Sequence, residues 1–278
     1  MPLRERLYHR LPEQSSRSPH YPHYLRDYIA VGNYTVRGWI EPNILRVTRA
    51  LSQQQEQFGV QGAVVEIGVH HGRFFIGLQL TAPNADQRCL AIDLFDQQDL
   101  NVDNSGKGDR DIFLRNVQRW AKDATGVVVL AADSTSLTSA DVTDRVGAVR
   151  LFSVDGGHTA QIVEHDMTVA AGSLAPGGII IGDDVFHPSW PGAAEGTLAF
   201  LDKTLGIVPF AICFNKVLFS DVEHAEAYRR TVLELADHRL WPAKETEMRG
   251  HAVAYTTSRP QERVRTVAKK LLRRDLRD

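Results

Sequence analysis

The sequence predicts an α/β fold built on a mostly parallel sheet, with helices on both faces and an antiparallel hairpin at one edge. Short apolar runs recur along the chain and end in glycine or aspartate, which is typical of buried parallel strands. Helix-compatible stretches separate these runs, and the alternation indicates βαβ units. Two later strand-like segments, 210–219 and 251–255, are predicted to supply the hairpin.

The individual elements follow from their periodicity. Strands are predicted at residues 62–68, 89–93, 127–131, 149–155 and 178–184. Helices are predicted at residues 40–58, 74–80, 110–121 and 159–174. The first helix is the most regular, because Ile44, Val47, Leu51 and Phe58 recur on one side of a 3.6-residue period.

Length and charge favour one domain without a nucleic-acid partner. The 278 residues suit a single α/β domain, divided into an N-terminal helical or lid extension (1–58), a ligand-binding core (59–220) and a C-terminal extension with a basic helix (221–278). The 32 basic and 34 acidic residues nearly balance, so nucleic acid is not an expected partner. Cys89 and Cys213 are far apart and are expected to be buried thiols. We expect a cytoplasmic protein with no membrane insertion, which can form a homodimer.

A glycine turn follows the first predicted strand and suggests a ligand site. Glu66 lies two residues before Gly68, and Gly72 completes a Gly-x-x-x-Gly spacing that differs from the G-x-G-x-x-G dinucleotide fingerprint. Asp93 ends the second strand, where a carboxylate can accept the ribose hydroxyls of a nucleoside. The pair Asp133–Ser134 ends the third strand and can reach an adenine edge. Each of these features also occurs in purely structural turns.

Three aspartates and a histidine end the next two strands. Asp155 follows the fourth strand, and Asp183 and Asp184 end the fifth. Carboxylates that converge at one sheet edge repel each other unless a cation or a proton intervenes, and oxygen ligands suit Mg²⁺. Helix capping is the alternative for a single aspartate. His158 lies close by, and either this imidazole or Asp155 can act as a general base.

Together these motifs resemble a known enzyme family over residues 64–215. The matching stretches are Glu66–Gly72, Asp93–Asp96, Asn101–Asp109, Asp155–His158 and Asp183–Val185. The chain is similar to class I S-adenosylmethionine-dependent methyltransferases, which have a Rossmann-like fold. Within that family it resembles the metal-dependent sugar O-methyltransferases of the macrocin type, and mycobacterial methylmannose polysaccharide methyltransferases look similar.

The resemblance implies a cofactor, a metal and an acceptor. It implies S-adenosylmethionine at the glycine turn and Mg²⁺ on Asp155, Asp183 and Asp184. The acceptor, a small-molecule or oligosaccharide substrate, would present a sugar hydroxyl that coordinates this metal. We expect the polar loop 99–110 to act as a lid. Residues 186–192 are expected to line the acceptor site. The aromatic segment 21–39 suits either stacking on a sugar or adenine face or simple packing on the domain.

Three alternatives stay open on the sequence. A catechol-type methyltransferase shares the metal chemistry but acts on a phenol. A nucleotide-binding Rossmann protein that is not a methyltransferase is disfavoured by the glycine spacing. A non-enzymatic role would use the basic tail, 263–277, to bind acidic partners.

Overall fold

A nine-stranded sheet organises the computed structural model, which describes residues 25–81, 88–239 and 241–257. The strands are β1 (Ala63–Ile67), β2 (Cys89–Asp93), β3 (Val127–Ala131), β4 (Val149–Val154), β5 (Leu174–Gly182), β6 (Ile207–Cys213), β7 (Lys216–Asp221), β8 (Ala243–Met248) and β9 (His251–Thr256). Their order is β3-β2-β1-β4-β5-β7-β6-β9-β8. The first five strands are parallel, and β7 adds antiparallel to β5.

Helices connect the strands. They are α1 (Leu25–Asp27), α2 (Asn33–Thr35), α3 (Ile44–Gln57), α4 (Arg73–Thr81), α5 (Arg110–Trp120), α6 (Ser139–Val146), α7 (Ala160–Ser173), α8 (Pro191–Lys203) and α9 (Val222–His238). Several of them begin at side chains that accept a backbone N–H at the first turn, as Asp109 does for α5 and Asp221 for α9.

Both faces of the sheet are covered. One apolar layer joins the sheet to α3, α4, α5 and α9 through buried residues such as Leu45, Phe113 and Tyr228. The other joins it to α6, α7 and α8 through residues such as Met167 and Phe200. Burying each apolar helix face against the sheet removes its surface from water and supplies most of the stabilisation.

The predicted fold class is confirmed, and the edge differs in detail. The segment 210–219 contains parts of two strands, because β6 and β7 form the antiparallel hairpin by themselves around Phe214 and Asn215. The other segment becomes β9, which pairs parallel to β6 and antiparallel to β8. Strand β8, whose residues are mostly polar and exposed, was not predicted from the sequence, and neither were the helices α6, α8 and α9.

Some predicted features lie outside the described residues. These are the basic tail from Arg263 to Asp278 and two aromatic residues of the N-terminal segment, Tyr21 and Tyr24. Cys89 and Cys213 are both buried free thiols, as predicted. No helix in the described ranges is long and apolar enough to cross a membrane.

Candidate active site

A cavity of about 910 Å³ lies at the carboxyl edge of the parallel strands. The chain order reverses here, since β2 lies on one side of β1 and β4 on the other, and ligands of open parallel sheets bind at such switch points. The residues that follow four of these strands line the cavity: Gly68, Asp93, Asp155 and Asp183. The strand ends singled out by the sequence therefore meet in one place.

The packing of two strand ends explains why residue 68 is a glycine, and the sequence did not reveal this packing. It lies beside Asp155, because Ile67 pairs with Val154 in the register of β1 and β4. Its φ is +84°, and a Cβ on it would lie 1.7 Å from the backbone oxygen of Asp155. Gly68 lines the cavity, but close packing of two strand ends already requires glycine here.

Two other predicted cofactor residues do not line the cavity. A Cβ on Gly72 would lie 3.0 Å from the Phe113 ring, so this glycine permits core packing. The side chain of Glu66 is buried, and its Oε1 accepts a hydrogen bond from Ser153 Oγ at 3.0 Å. Burial raises the pKa of Glu66 to about 8, so its carboxyl is largely protonated at neutral pH.

Asp93 lies under the loop that was predicted to be a lid. Its carboxylate accepts hydrogen bonds from the backbone N–H groups of His70 and Phe95, each at 2.7 Å. Burial raises the pKa of Asp93 above its ordinary range. Gly108 packs against this carboxylate, because a Cβ there would lie 2.4 Å from Asp93 Oδ1. The loop therefore covers the cavity at the end of β2.

Asp133 and Ser134 line the cavity beside β3. Asp133 also accepts a hydrogen bond from the backbone N–H of Thr135 at 3.0 Å, so its side chain stabilises the turn after β3 as well. Ser134 Oγ donates to Asp166 Oδ2 at 3.1 Å. Asp166 is buried on α7, and its Oδ1 has no hydrogen-bond partner. Burial raises the pKa of Asp166 to about 7.

We expect Asp166→Asn to stabilise the protein at alkaline pH. The folded state holds the Asp166 proton up to about pH 7, whereas an unfolded chain releases it near 3.8. Stability therefore falls as pH rises through that window, because the folded state must ionise a buried carboxyl. The neutral amide removes this cost, so the free energy of unfolding should rise by about 2–4 kcal/mol near pH 8.

Denaturant unfolding at several pH values measures this effect. The gain from Asp166→Asn should shrink toward about pH 4, where the carboxyl is protonated in both states. Asp144→Asn changes an exposed aspartate on α6 and serves as the control, with a stability curve parallel to that of the unmodified protein. An Asp166→Asn gain that does not vary with pH would exclude this explanation.

The three predicted metal ligands do converge. Asp155 and Asp183 share a side-chain hydrogen bond, and burial together with the charge of Asp183 raises the pKa of Asp155 well above its ordinary value. Asp184 donates its backbone N–H to Asp183 Oδ1 at 2.8 Å. Asp184 has a φ of +52°, a conformation that aspartate tolerates better than most residues.

A lysine and an asparagine from the hairpin occupy the oxygens of Asp183. Lys216 Nζ forms an ion pair with Asp183 Oδ2, and the lysine side chain is fully buried. Asn215 Nδ2 donates to Asp183 Oδ1 at 2.7 Å and to Asp184 Oδ1 at 3.2 Å. Both oxygens of Asp183 are therefore already bonded to protein groups.

These contacts do not fit a divalent metal on the three aspartates. Among residues 25–81, 88–239 and 241–257, no group of three or more His, Cys, Asp or Glu side chains is arranged to hold a metal ion. Asp183 Oδ1 accepts two hydrogen bonds and its Oδ2 pairs with the Lys216 ammonium, so Mg²⁺ would have to displace or share these partners. An ammonium ion inside the cluster would also repel a second cation.

His158 is held between two carboxylates on the cavity wall. Its Nδ1 lies 2.8 Å from Asp103 Oδ2, and its Nε2 lies 3.5 Å from Asp184 Oδ2. The imidazole stacks on Trp190 at a ring distance of 4.3 Å. Burial lowers the pKa of His158, but hydrogen bonds to Asp184 and Asp103 outweigh it and raise the net pKa above the ordinary value.

Asp103 connects the predicted lid to His158. Burial alone would raise its pKa, yet hydrogen bonds from Ser105 and His158 lower it to about 2, so the carboxylate stays ionised. The backbone N–H of His158 also donates to Asp103 Oδ2, at 2.7 Å. The loop therefore contacts Asp93 through Gly108 at one end of the cavity and His158 at the other.

Comparison with known proteins identifies this part of the chain. A family model described as a methyltransferase domain matches residues 65–185, which span β1 to β5 and all of the aspartates above. The prediction of a methyltransferase is thereby confirmed. No curated protein matches the chain.

Solved structures agree with the fold of the methyltransferase domain. The O-methyltransferase NovP superposes with a TM-score of 0.51 at 17% identity, covering 66% of this chain and 81% of NovP. Cofactor-bound Rv0187 from MTB superposes with a TM-score of 0.51 at 16% identity, covering 71% of this chain and 89% of Rv0187. At these identities the likeness shows the fold.

Three residues around the methyltransferase domain's cavity were not predicted individually. Asp103 was only part of a loop motif, and Asn215 and Lys216 were included in a strand-like segment without an assigned role. A lysine within an otherwise apolar run, Phe210–Phe219, was the available signal, since a buried lysine needs an acidic partner. Residues 186–192 contribute His187 and Trp190 to the lining, as predicted.

Proposed function

We propose that this protein transfers a methyl group from S-adenosylmethionine to a hydroxyl of a sugar or oligosaccharide, with His158 as the general base. The observation that carries the proposal is the Asp103–His158 pair on the wall of a cavity inside a methyltransferase domain. A hydroxyl is a poor nucleophile at neutral pH, so a base that removes its proton during transfer accelerates the reaction.

The cofactor side of the cavity has suitable groups. Asp93 presents a carboxylate to the cavity with oxygens that can still accept ribose hydroxyls, because each oxygen has one backbone donor and two lone pairs. Gly68 leaves space at the end of β1, and Asp133–Ser134 line the region beside β3. S-adenosylmethionine, when bound, supplies a methyl group on a sulfonium centre.

His158 is arranged to accept a proton. Its Nδ1–H donates to the ionised Asp103, which leaves the Nε2 lone pair free in the neutral tautomer. During methyl transfer the proton of the acceptor hydroxyl would pass to Nε2 of His158. Asp103 then stabilises the imidazolium that forms, and Trp190 holds the ring in place from one side.

The mouth of the cavity supports a sugar acceptor. Trp39 lines it and is 67% exposed, and an indole face suits stacking against the C–H side of a sugar ring. Gln98, Asn101 and Ser105 line the same region and offer hydrogen-bonding groups to hydroxyls. A phenolic acceptor finds support in exposed Leu100 and Val102 nearby, so it remains the second candidate.

The proposal also includes a division of one methyltransferase domain into residues 1–58, 59–220 and 221–278, closing of loop 99–110, a homodimer and a cytoplasmic location. The resemblance to the sugar branch of the family implies Mg²⁺, but the contact of Lys216 with Asp183 disfavours that metal here.

The proposal is tested first by cofactor binding and then by methyl transfer. Calorimetry should show binding of S-adenosylhomocysteine and no binding of NAD. The enzyme is then incubated with S-adenosylmethionine and a panel of sugars, oligosaccharides, nucleotide sugars and catechols, with mass spectrometry as the readout. A mass gain on a sugar hydroxyl is expected. Transfer to catechols alone would overturn the acceptor class, and absence of S-adenosylhomocysteine binding would overturn the function.

A further inference from the structure

A buried charged cluster lies beneath the cavity. Glu66 and Lys216 are buried and Asp183 nearly so, and Asp155, which is partly buried, lies beside them. Lys216 begins β7, which runs antiparallel to β5 with Val217 opposite Gly182, so the register brings its ammonium beside the residue that follows β5. The side chain also passes the ring of Phe74, with Nζ 4.5 Å from the ring centroid.

A fully buried lysine at this position requires strong electrostatic stabilisation. Removing an ammonium ion from water costs several kcal/mol, which only nearby negative charge can offset. Burial lowers the pKa of Lys216, but the carboxylate of Asp183, followed by Asp155 and Glu66, outweighs it and keeps the amine charged. Lys216 and Asp183 therefore form a buried ion pair, with Asp155 and Glu66 close enough to act on the ammonium electrostatically.

We propose that the Lys216 ammonium is the resident cation of the aspartate cluster, in place of a divalent metal, and that methyl transfer by this chain needs no metal ion. The claim that transfer needs no metal rests on the proposed methyl transfer. The assignment of Lys216 as the resident cation does not, because it concerns only the positive charge beside Asp155 and Asp183.

Lys216 also acts on the active site through its neighbours. It fixes Asp183, whose Oδ1 receives Asn215 Nδ2 and the backbone N–H of Asp184. Asp184 in turn faces Nε2 of His158 at 3.5 Å. Lys216 is thus a positioning residue: it holds the strand end from which Asp184 reaches the base.

Metal binding to the unmodified protein is the first test. The protein is dialysed against chelator, analysed for bound metal, and titrated with Mn²⁺ while electron paramagnetic resonance reports free Mn²⁺. No site tighter than about 1 mM is expected, a range typical of weak oxygen-ligand sites. Activity in excess EDTA should equal activity in Mg²⁺ once an acceptor is known. One Mn²⁺ bound per chain well below 1 mM, together with inactivation by EDTA, would overturn the proposal.

Removing the ammonium is the second test. Lys216→Met keeps most of the side-chain volume but leaves the carboxyls without their cation, so this variant should gain Mn²⁺ affinity by at least about tenfold. Mg²⁺ should raise the melting temperature of Lys216→Met and leave that of the unmodified protein unchanged. Lys203→Met is the matched control, since Lys203 pairs with Glu164 on the surface and should gain no Mn²⁺ affinity.

Two outcomes separate this proposal from the proposed function. A folded Lys216→Met variant that binds Mn²⁺ no better than the unmodified protein would contradict the assignment of Lys216. If that variant does not fold, the titration of the unmodified protein decides the question by itself. Failure to bind S-adenosylhomocysteine would remove the methyl-transfer function while leaving the result on metal binding intact.

Discussion

Replacing His158 with alanine should lower the turnover number by about 10²–10⁴-fold, the range expected for loss of a general base. The acceptor hydroxyl would then have to lose its proton to water. Affinity for S-adenosylhomocysteine should stay nearly unchanged, because the hydrogen-bond and ion-pair partners of His158 are Asp103 and Asp184, not the proposed ribose-binding residue Asp93. His238→Ala, an exposed substitution at the end of α9, is the control and should leave turnover unaltered.

The pH profile distinguishes a base from a structural histidine. Hydrogen bonds to Asp184 and Asp103 raise the pKa of His158 above its ordinary value, and only the neutral imidazole can accept a proton. The kcat/KM should therefore fall as pH decreases through the raised pKa. Asp103→Asn removes one of these charges, so this acidic limb should move to lower pH. If the acidic limb of the kcat/KM profile does not move in Asp103→Asn, or if His158→Ala keeps full activity, the general base is another group.

Replacing Gly68 with alanine should destabilise the protein strongly, with unfolding free energy lower by about 3–5 kcal/mol. Two costs add at this position. The φ of +84° disfavours any residue with a Cβ, and that Cβ would lie 1.7 Å from the backbone oxygen of Asp155. The end of β1 must then separate from the end of β4. Denaturant unfolding followed by circular dichroism measures the loss.

Gly59 offers a matched control for the clash. Its φ is +71°, but a Cβ there would meet nothing within 4 Å. Gly59→Ala should therefore cost only the conformational term, about 1–2 kcal/mol. The difference between the two variants isolates the contact with Asp155. Equal losses of unfolding free energy in the two variants would show that the backbone near Asp155 moves away from the added Cβ at little energetic cost. A folded Gly68→Ala protein with normal stability and weaker cofactor binding would show that Gly68 serves only ligand binding.

The sequence predicted the parallel part of the sheet and the location of the site. Buried parallel strands are continuous apolar runs, and β1 to β5 were recognised for that reason. Since parallel strands end at one edge, the glycine and aspartates that follow them had to meet there. Helices such as α8 were missed because their glycines and small residues blur the helical period.

The roles of residues that meet only through tertiary contacts could not be predicted. Convergence of Asp155, Asp183 and Asp184 was expected from their strand ends, but the identity of their counter-charge depended on a hairpin about 30 residues later. Only the antiparallel register of β7 with β5 brings Lys216 to Asp183. Similarly, only the path of loop 99–110 across the cavity brings Asp103 to His158. The sequence by itself thus determined the fold class and the edge where the site lies, because both follow from local apolar patterns and strand direction. The tertiary structure decided which groups neutralise and orient the site, because ion pairs and hydrogen bonds depend on distances that local patterns do not contain.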